Sequence, residues 1–157
     1  MNYYDQIADG YDKLHREEQE KKLSIVQKNL KINKKDRVLD VGCGTCISSQ
    51  IQCRWYGIDP SERLLLQGPE VNKILAKGET LPFEDDCFDV VICITAIHNF
   101  DDIEKGLQEM KRVGKTRFGI SVLRKSKSHD KIVDMIKKNF AIDKTFEEKF
   151  DTMLFSF

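Results

Sequence analysis

Chemistry-bearing residues concentrate in four short runs. The first is Val38-Leu39-Asp40-Val41-Gly42-Cys43-Gly44-Thr45. It places an acid just before a glycine turn, where the backbone can adopt positive φ and approach a ligand closely. A helix after such a turn offers unpaired N–H groups to an anion. Asp40 beside the turn suits a cation or ammonium group, so the pair suits an amino-acid zwitterion. The second run is Gly57-Ile58-Asp59-Pro60-Ser61, whose acid at a strand end is placed to accept from ribose hydroxyls. The third is Gly78-Glu79-Thr80-Leu81-Pro82-Phe83, followed by Asp85-Asp86-Cys87-Phe88-Asp89. The fourth is Thr95-Ala96-Ile97-His98-Asn99-Phe100. His98, with an ordinary pKa of about 6.5, suits a general base near neutral pH, and Asn99 suits substrate binding or helix capping. Each has a plainer reading. The glycine run could be a bare strand-to-helix turn, Asp59 a helix cap before Ser61, Glu79 a solvated loop acid and His98 a histidine packed in a loop.

Other clusters point elsewhere. The five cysteines, at 43, 46, 53, 87 and 93, are an odd number, which fits a reducing compartment. Cys43-x-x-Cys46 lacks a second Cys-x-x-Cys or a nearby His to complete a zinc set, so no metal is expected. Arg124-Lys125-Ser126-Lys127 and Lys131 form a basic cluster, which suits phosphates as readily as it suits a solvated loop. Lys111, Arg112, Lys115 and Arg117 form another, placed where helix C-termini welcome positive charge. The 26 basic and 26 acidic residues balance, which argues against gripping nucleic acid by bulk charge. No apolar run reaches membrane-spanning length, and Met1 to Asp5 shows neither part of a signal peptide. A cytoplasmic, single-domain protein over residues 1–157 is expected.

These runs need elements to position them. Glu17 to Leu30 reads as a helix, with Leu23, Val26 and Leu30 on one face. Residues 1–16 read as a separate helical or loop segment. Arg37 to Val41, Trp55 to Ile58, Lys73 to Ala76, Phe88 to Thr95 and Arg117 to Leu123 read as strands. The continuous apolar run FDVVICIT marks a central parallel strand. Asp101 to Val113 reads as a helix capped by Asp101, with Glu104 completing a capping box, and Ser128 to Phe140 as another. Lys144 to Phe150 and Met153 to Phe157 read as two edge strands. Alternating strands and helices predict an α/β fold, a doubly wound and mostly parallel seven-stranded sheet with helices on both faces. Its ligands would sit at the carboxyl ends of the strands.

Taken together, DVGCGT, GIDPS, GETLPFEDDCFDVV and a strand ending in AIHNF resemble the class I S-adenosylmethionine-dependent methyltransferases of the type 11 group. Tyr4-Asp5-Gln6-Ile7-Ala8-Asp9-Gly10-Tyr11-Asp12 is similar to the N-terminal YDxxAxxYD pattern of small-molecule and RNA methyltransferases in that group. The resemblance covers residues 3 to about 123. It implies a Rossmann-like fold and S-adenosyl-L-methionine as cofactor. Asp40, Gly42, Cys43 and Gly44 would hold its methionine end, and Asp59 its ribose. Gly78 and Glu79 would border the adenine, Thr95 would lie near the sulfonium, and Tyr11 would belong to an N-terminal lid over residues 1–16. His98 and Asn99 would face the methyl acceptor.

The chain departs from the family pattern at several points. Cys46 stands where a third glycine is usual. Ten residues separate Gly44 from Trp55, so the helix between the first two strands must be very short. Lys77 or Ala76 stands where an acid often meets the adenine amino group. Gly114-Lys115-Thr116 replaces the usual Pro-Gly-Gly turn. A dinucleotide-binding dehydrogenase would need glycine where Ile47 stands. A non-catalytic cofactor-binding subunit, or an enzyme needing a small zinc-binding activator protein, is the remaining alternative. RNA is the expected acceptor ahead of a small metabolite, on the strength of the Arg124 to Lys131 cluster.

Overall fold

The structure, a computed structural model, describes the backbone of residues 8–157 and the side chains from Lys13 onward. Helix α1 (Ala8–Leu30) leads into strand β1 (Arg37–Val41), a single 3-10 turn (Ile47–Gln50) and strand β2 (Arg54–Asp59). Then come the short helix α2 (Glu62–Gln67), β3 (Lys73–Leu75), β4 (Phe88–Cys93), a 3-10 turn (Ile97–Asn99) and α3 (Ile103–Val113). Strand β5 (Gly114–Leu123), helix α4 (His129–Asn139), β6 (Lys144–Glu147) and β7 (Asp151–Ser156) complete the chain.

The strands form one seven-stranded sheet in the order β3-β2-β1-β4-β5-β7-β6. The first five are parallel and β7 runs antiparallel to both of its neighbours. Strand side chains alternate between faces, and the burial follows that period. Leu39, Val41, Val91 and Cys93 join Leu107 and Met110 of α3 and Ile132 and Ile136 of α4 in one core. Val38, Val90, Ile92 and Ile94 join Leu23, Val26 and Leu30 of α1 on the other face. A strand covered on both faces has no solvent side to mark with polar residues, which is why β4 is apolar at every position but Asp89. Strand order reverses between β1 and β4, and a cleft opens at their carboxyl ends.

Three expectations need correction. The last strand is not at an edge: β7 lies between β5 and β6, and Asp151 to Phe155 are all buried. The ten-residue β5 exposes a long hydrogen-bonding edge, and β7 covers it over six residue pairs from Phe118–Ser156 to Leu123–Asp151. The cap of α3 is Asp102, whose side chain accepts from Lys105 N, rather than Asp101. Glu104 bonds Asn139 of α4 instead of closing a capping box. Finally, residues 8–16 are the first turns of α1 and run unbroken into the helix expected from Glu17. Residues 1–7 and the side chain of Tyr11 lie outside the described residues.

Candidate functional site

The glycine turn is shaped by backbone conformations that few residues adopt. Gly42 has φ +81°, and a Cβ there would lie 2.5 Å from the Ala96 Cβ. Gly44 has φ +55°. Cys46 stands in the left-handed region too, at φ 64°, so the cysteine in the third glycine's place accepts the conformation a glycine would take more easily. Its side chain is buried with Cys43, Trp55 and Leu65 in a small core under the turn. Burial pushes both thiols up, Cys43 strongly, which makes them poor thiolates. Among the described residues, no three His, Cys, Asp or Glu side chains gather to hold a metal ion.

Two acids brace this turn. Asp59 accepts from Gly44 N at 2.9 Å through Oδ2 and from Ser61 N at 2.8 Å through Oδ1. Each oxygen keeps one lone pair. The cap of α2 is Ser61 itself, accepting from Leu64 N. Asp40 is 5% exposed. Its Oδ2 accepts from Ser48 Oγ, which in turn accepts from Trp55 Nε1 at 2.8 Å. Its Oδ1 is buried without a partner. Burial, with Asp59 adding to it against the Ser48 hydrogen bond, pushes the Asp40 carboxyl up to about 7. A carboxylate oxygen so placed is stabilised by a cation or ammonium brought against it.

Two cavities meet over the turn and share Gly42, Asp59, Leu64, Ala96 and Asn99. One, of about 190 Å³, is walled by Ile58, Pro60, Ala96 and Phe100 and rimmed by Lys77, Glu79 and Asp101. Gly78 lies in its wall against the Phe100 ring, 2.4 Å from where a Cβ would sit. Glu79 is no free loop acid. Its Oε2 accepts from Asp101 N and Asp102 N and holds the entry to α3. The other cavity, of about 240 Å³, is lined by Asp40, Cys43, Gly44, Thr45, Ser48 and Thr95, with His15, Gln19 and Leu23 of α1 on its far side. The cleft therefore offers an apolar slot, a carboxylate in the middle and an acidic floor at the far end. That sequence matches an elongated ligand carrying a flat ring, a diol and an ammonium group.

The predicted residues separate into two groups. Asp40, Gly42, Cys43, Gly44, Asp59, Gly78, Glu79 and Asn99 line the joined cavities. Thr95 lines the polar one, but its hydroxyl is already committed. It accepts from Lys22 Nζ at 3.0 Å and donates to Asp151 Oδ2 at 2.6 Å. His98 lies beside the cleft and walls neither cavity. Its ring is half-buried, with Nδ1 unpartnered, and desolvation lowers its pKa. Tyr11 falls on α1, the helix that supplies His15, Gln19 and Leu23. His15, Gln19, Ser48 and the Lys22–Asp151 pair carry no signal of this role in the sequence, and Leu23 reads there only as part of an apolar helix face. Ser48 reaches Asp40 through the short turn after β1, but only the packing of α1 and β7 on the sheet brings the others into place, and no local spacing signals it.

The opposite sheet edge is stapled by cations. Arg112 bonds the carbonyls of Leu81 and Phe83 with Asp85 and Glu109, and Arg117 pairs with Asp36 at 2.6 Å. In the Arg124 to Lys131 cluster, Arg124 pairs with Glu147 while Lys125, Lys127 and Lys131 are exposed.

The fold and cleft define a Rossmann-like, S-adenosylmethionine-binding class of protein, and comparison with known proteins agrees. The methyltransferase-domain family matches residues 39–117, half of the chain. An uncharacterized protein of Methanocaldococcus jannaschii is 34% identical over 116 residues, covering 71% of this chain and 45% of that protein. A SAM-dependent methyltransferase from Aquifex aeolicus shares the fold at TM-score 0.72 and 19% identity, over 85% of this chain and 88% of the other. A chain from a Haloferax volcanii complex, between the Trm112 methyltransferase activator and a methyltransferase, shares it at TM-score 0.78 and 14% identity, over 99% and 97%. The chain belongs to the class I S-adenosylmethionine-dependent methyltransferases. It spans about half the length of the curated relatives it matches.

Proposed function

We propose that this protein transfers the methyl group of S-adenosylmethionine to an acceptor presented at Asn99 and His98, and that the acceptor is RNA. The observation that carries the cofactor reading is the unpartnered, buried Oδ1 of Asp40 beneath the glycine turn. It is the acceptor that an amino-acid ammonium group requires. The remaining lone pairs of Asp59 would receive the ribose hydroxyls, and the slot between Ile58 and Phe100 would take the adenine. When bound, the cofactor supplies a methyl group already activated by its positive sulfur. The protein's share is then to orient two reactants and exclude water. Asn99, exposed on the wall shared by both cavities, would orient the acceptor. His98, kept neutral by desolvation, would take a proton from an acceptor nitrogen or oxygen that carries one.

Support for RNA comes from the exposed lysines at 125, 127 and 131, which follow β5 at its carboxyl end, the edge that bears the cleft. A small activator protein is the partner this reading favours, since the Haloferax volcanii likeness spans nearly the whole of both chains. The test is calorimetric titration with S-adenosylmethionine, S-adenosylhomocysteine and NAD. Methyl transfer from labelled cofactor to RNA or to a metabolite pool is then measured, with and without a co-expressed activator. Binding of the first two ligands but not NAD, followed by label in RNA, is the expected result. Label in the metabolite pool alone would overturn the RNA assignment, and NAD binding would overturn the cofactor.

A further inference from the structure

A buried network lies on the far side of the turn that carries His98 and Asn99. Lys22, on α1, is 2% exposed, and Asp151, at the start of β7, is 0% exposed. Lys22 Nζ donates to Asp151 Oδ1 and to Thr95 Oγ1, each at 3.0 Å. Asp151 Oδ2 accepts from Thr95 Oγ1 at 2.6 Å and from Ser121 Oγ at 2.7 Å. The Ser121 hydroxyl accepts from Thr95 N at 2.8 Å. Three separate elements, α1, β5 and β7, thus converge on one residue, Thr95.

Two features set this network apart from ordinary core packing. A buried ion pair is no better for stability than well-packed apolar side chains, because both ions lose their water. Moreover, the network holds Thr95 at φ 53°, a conformation that is a genuine outlier for a β-branched residue. Strain of that kind persists only where surrounding contacts over-determine it, and it clusters at functional sites. The strained residue opens the turn whose Ala96 touches Gly42 and whose Asn99 walls both cavities.

We propose that Lys22 and Asp151 are positioning residues for the methyl transfer: they hold the turn from Thr95 to Asn99 against the cleft and so fix the setting of the His98 ring that the turn carries. This rests on the methyltransferase reading above. Around His98 the charged groups that act on it are Asp151 from β7, which raises its pKa, and Lys22 from α1, which lowers it. The two oppose one another, so the intact pair leaves desolvation dominant and the imidazole neutral.

The test uses the full chain and three variants, Lys22→Met, Asp151→Asn and the double variant. The first readout is the His98 ring titration by NMR, which needs neither cofactor nor acceptor. Lys22→Met leaves Asp151 uncompensated and moves the midpoint up. Asp151→Asn leaves Lys22 uncompensated and moves it down. The double variant, which keeps a stable neutral core if the singles fail to fold, returns it towards the wild-type value. The second readout separates binding from turnover. In the double variant, cofactor affinity stays within about threefold while kcat falls at least about tenfold. A midpoint unmoved in every folded variant, or a double variant with wild-type kcat, would overturn the proposal and leave the pair a structural tie. A wild-type protein without transferase activity would count against the enzymatic reading alone, because the ring titration reads the positioning of His98 without turnover.

Discussion

The two halves of the cleft are built on different principles. On the β1–β2 side the partners are close in sequence: Asp40 and Ser48 are 8 residues apart, Ser48 and Trp55 are 7, and Gly44 and Asp59 are 15. Backbone conformation and short turns do most of the shaping there. On the β4–β5–β7 side the separations are 129 residues for Lys22 and Asp151, 56 for Thr95 and Asp151, and 30 for Ser121 and Asp151. Side chains do the shaping, and they meet only after the sheet has formed. A backbone cradle leaves little freedom, because a Cβ at Gly42 would collide with Ala96. A side-chain network depends instead on which distant elements meet.

Four outcomes would break or sharpen that contrast. The largest is on stability. Lys22→Met leaves Asp151 buried and unpaired and should cost about 3–5 kcal/mol, measured by urea unfolding, while the double variant with Asp151→Asn loses far less. Equal losses would mean that the pair acts as ordinary packing. Next is Gly42→Ala, which forces a Cβ against Ala96 at a strained φ. Cofactor affinity should drop at least about a hundredfold by calorimetry, roughly 3 kcal/mol. Undiminished affinity would remove the cradle from the binding site.

Protonation gives the third. The Asp40 carboxyl, raised to about 7 by burial, must ionise to meet an ammonium group. Binding should therefore weaken as pH falls below about 7, by up to about tenfold per unit. The effect on stability has the opposite sense. Between the ordinary carboxylate range and about 7 the folded state holds a proton that the unfolded chain has lost, so this group's contribution falls as pH rises through that window. Asp40→Asn should flatten both profiles, and an unchanged binding profile in that variant would assign the dependence to another group. The smallest effect concerns the lysines. If RNA is bound through phosphates, Lys131→Gln should weaken it uniformly and reduce the slope of log affinity against log salt by about 1. An unaltered slope would place the RNA elsewhere.

Much of this architecture was legible in the residues, for identifiable reasons. Strand β4 was readable because burial on both faces leaves an apolar run from Val90 to Cys93. The glycine turn was readable because left-handed backbone selects glycine at 42 and 44. The same reasoning failed at Cys46, where a non-glycine residue adopts that conformation under buried packing. The α3 cap was misplaced by one residue because Asp101 and Asp102 are equally good caps by type. Asp102 takes the cap by accepting from Lys105 N, while Glu79 accepts from the N–H groups of both. Strand β7 read as an edge because apolar residues at a chain end fit an edge or an interior place equally well. Only its pairing with both β5 and β6 decides between them.

Local patterning by itself determined the parallel α/β sheet, the position of the glycine turn and the acids at 40 and 59, because period, turn chemistry and strand-end placement are properties of neighbouring residues. The tertiary structure alone decided that α1 walls the cleft, that Lys22 is a buried cation paired across the fold, that Thr95 is spent on that network, and that His98 stands beside the cavities instead of within them. Those facts depend on which distant elements pack together. A lysine or threonine carries no mark in its own neighbourhood of the aspartate it will meet.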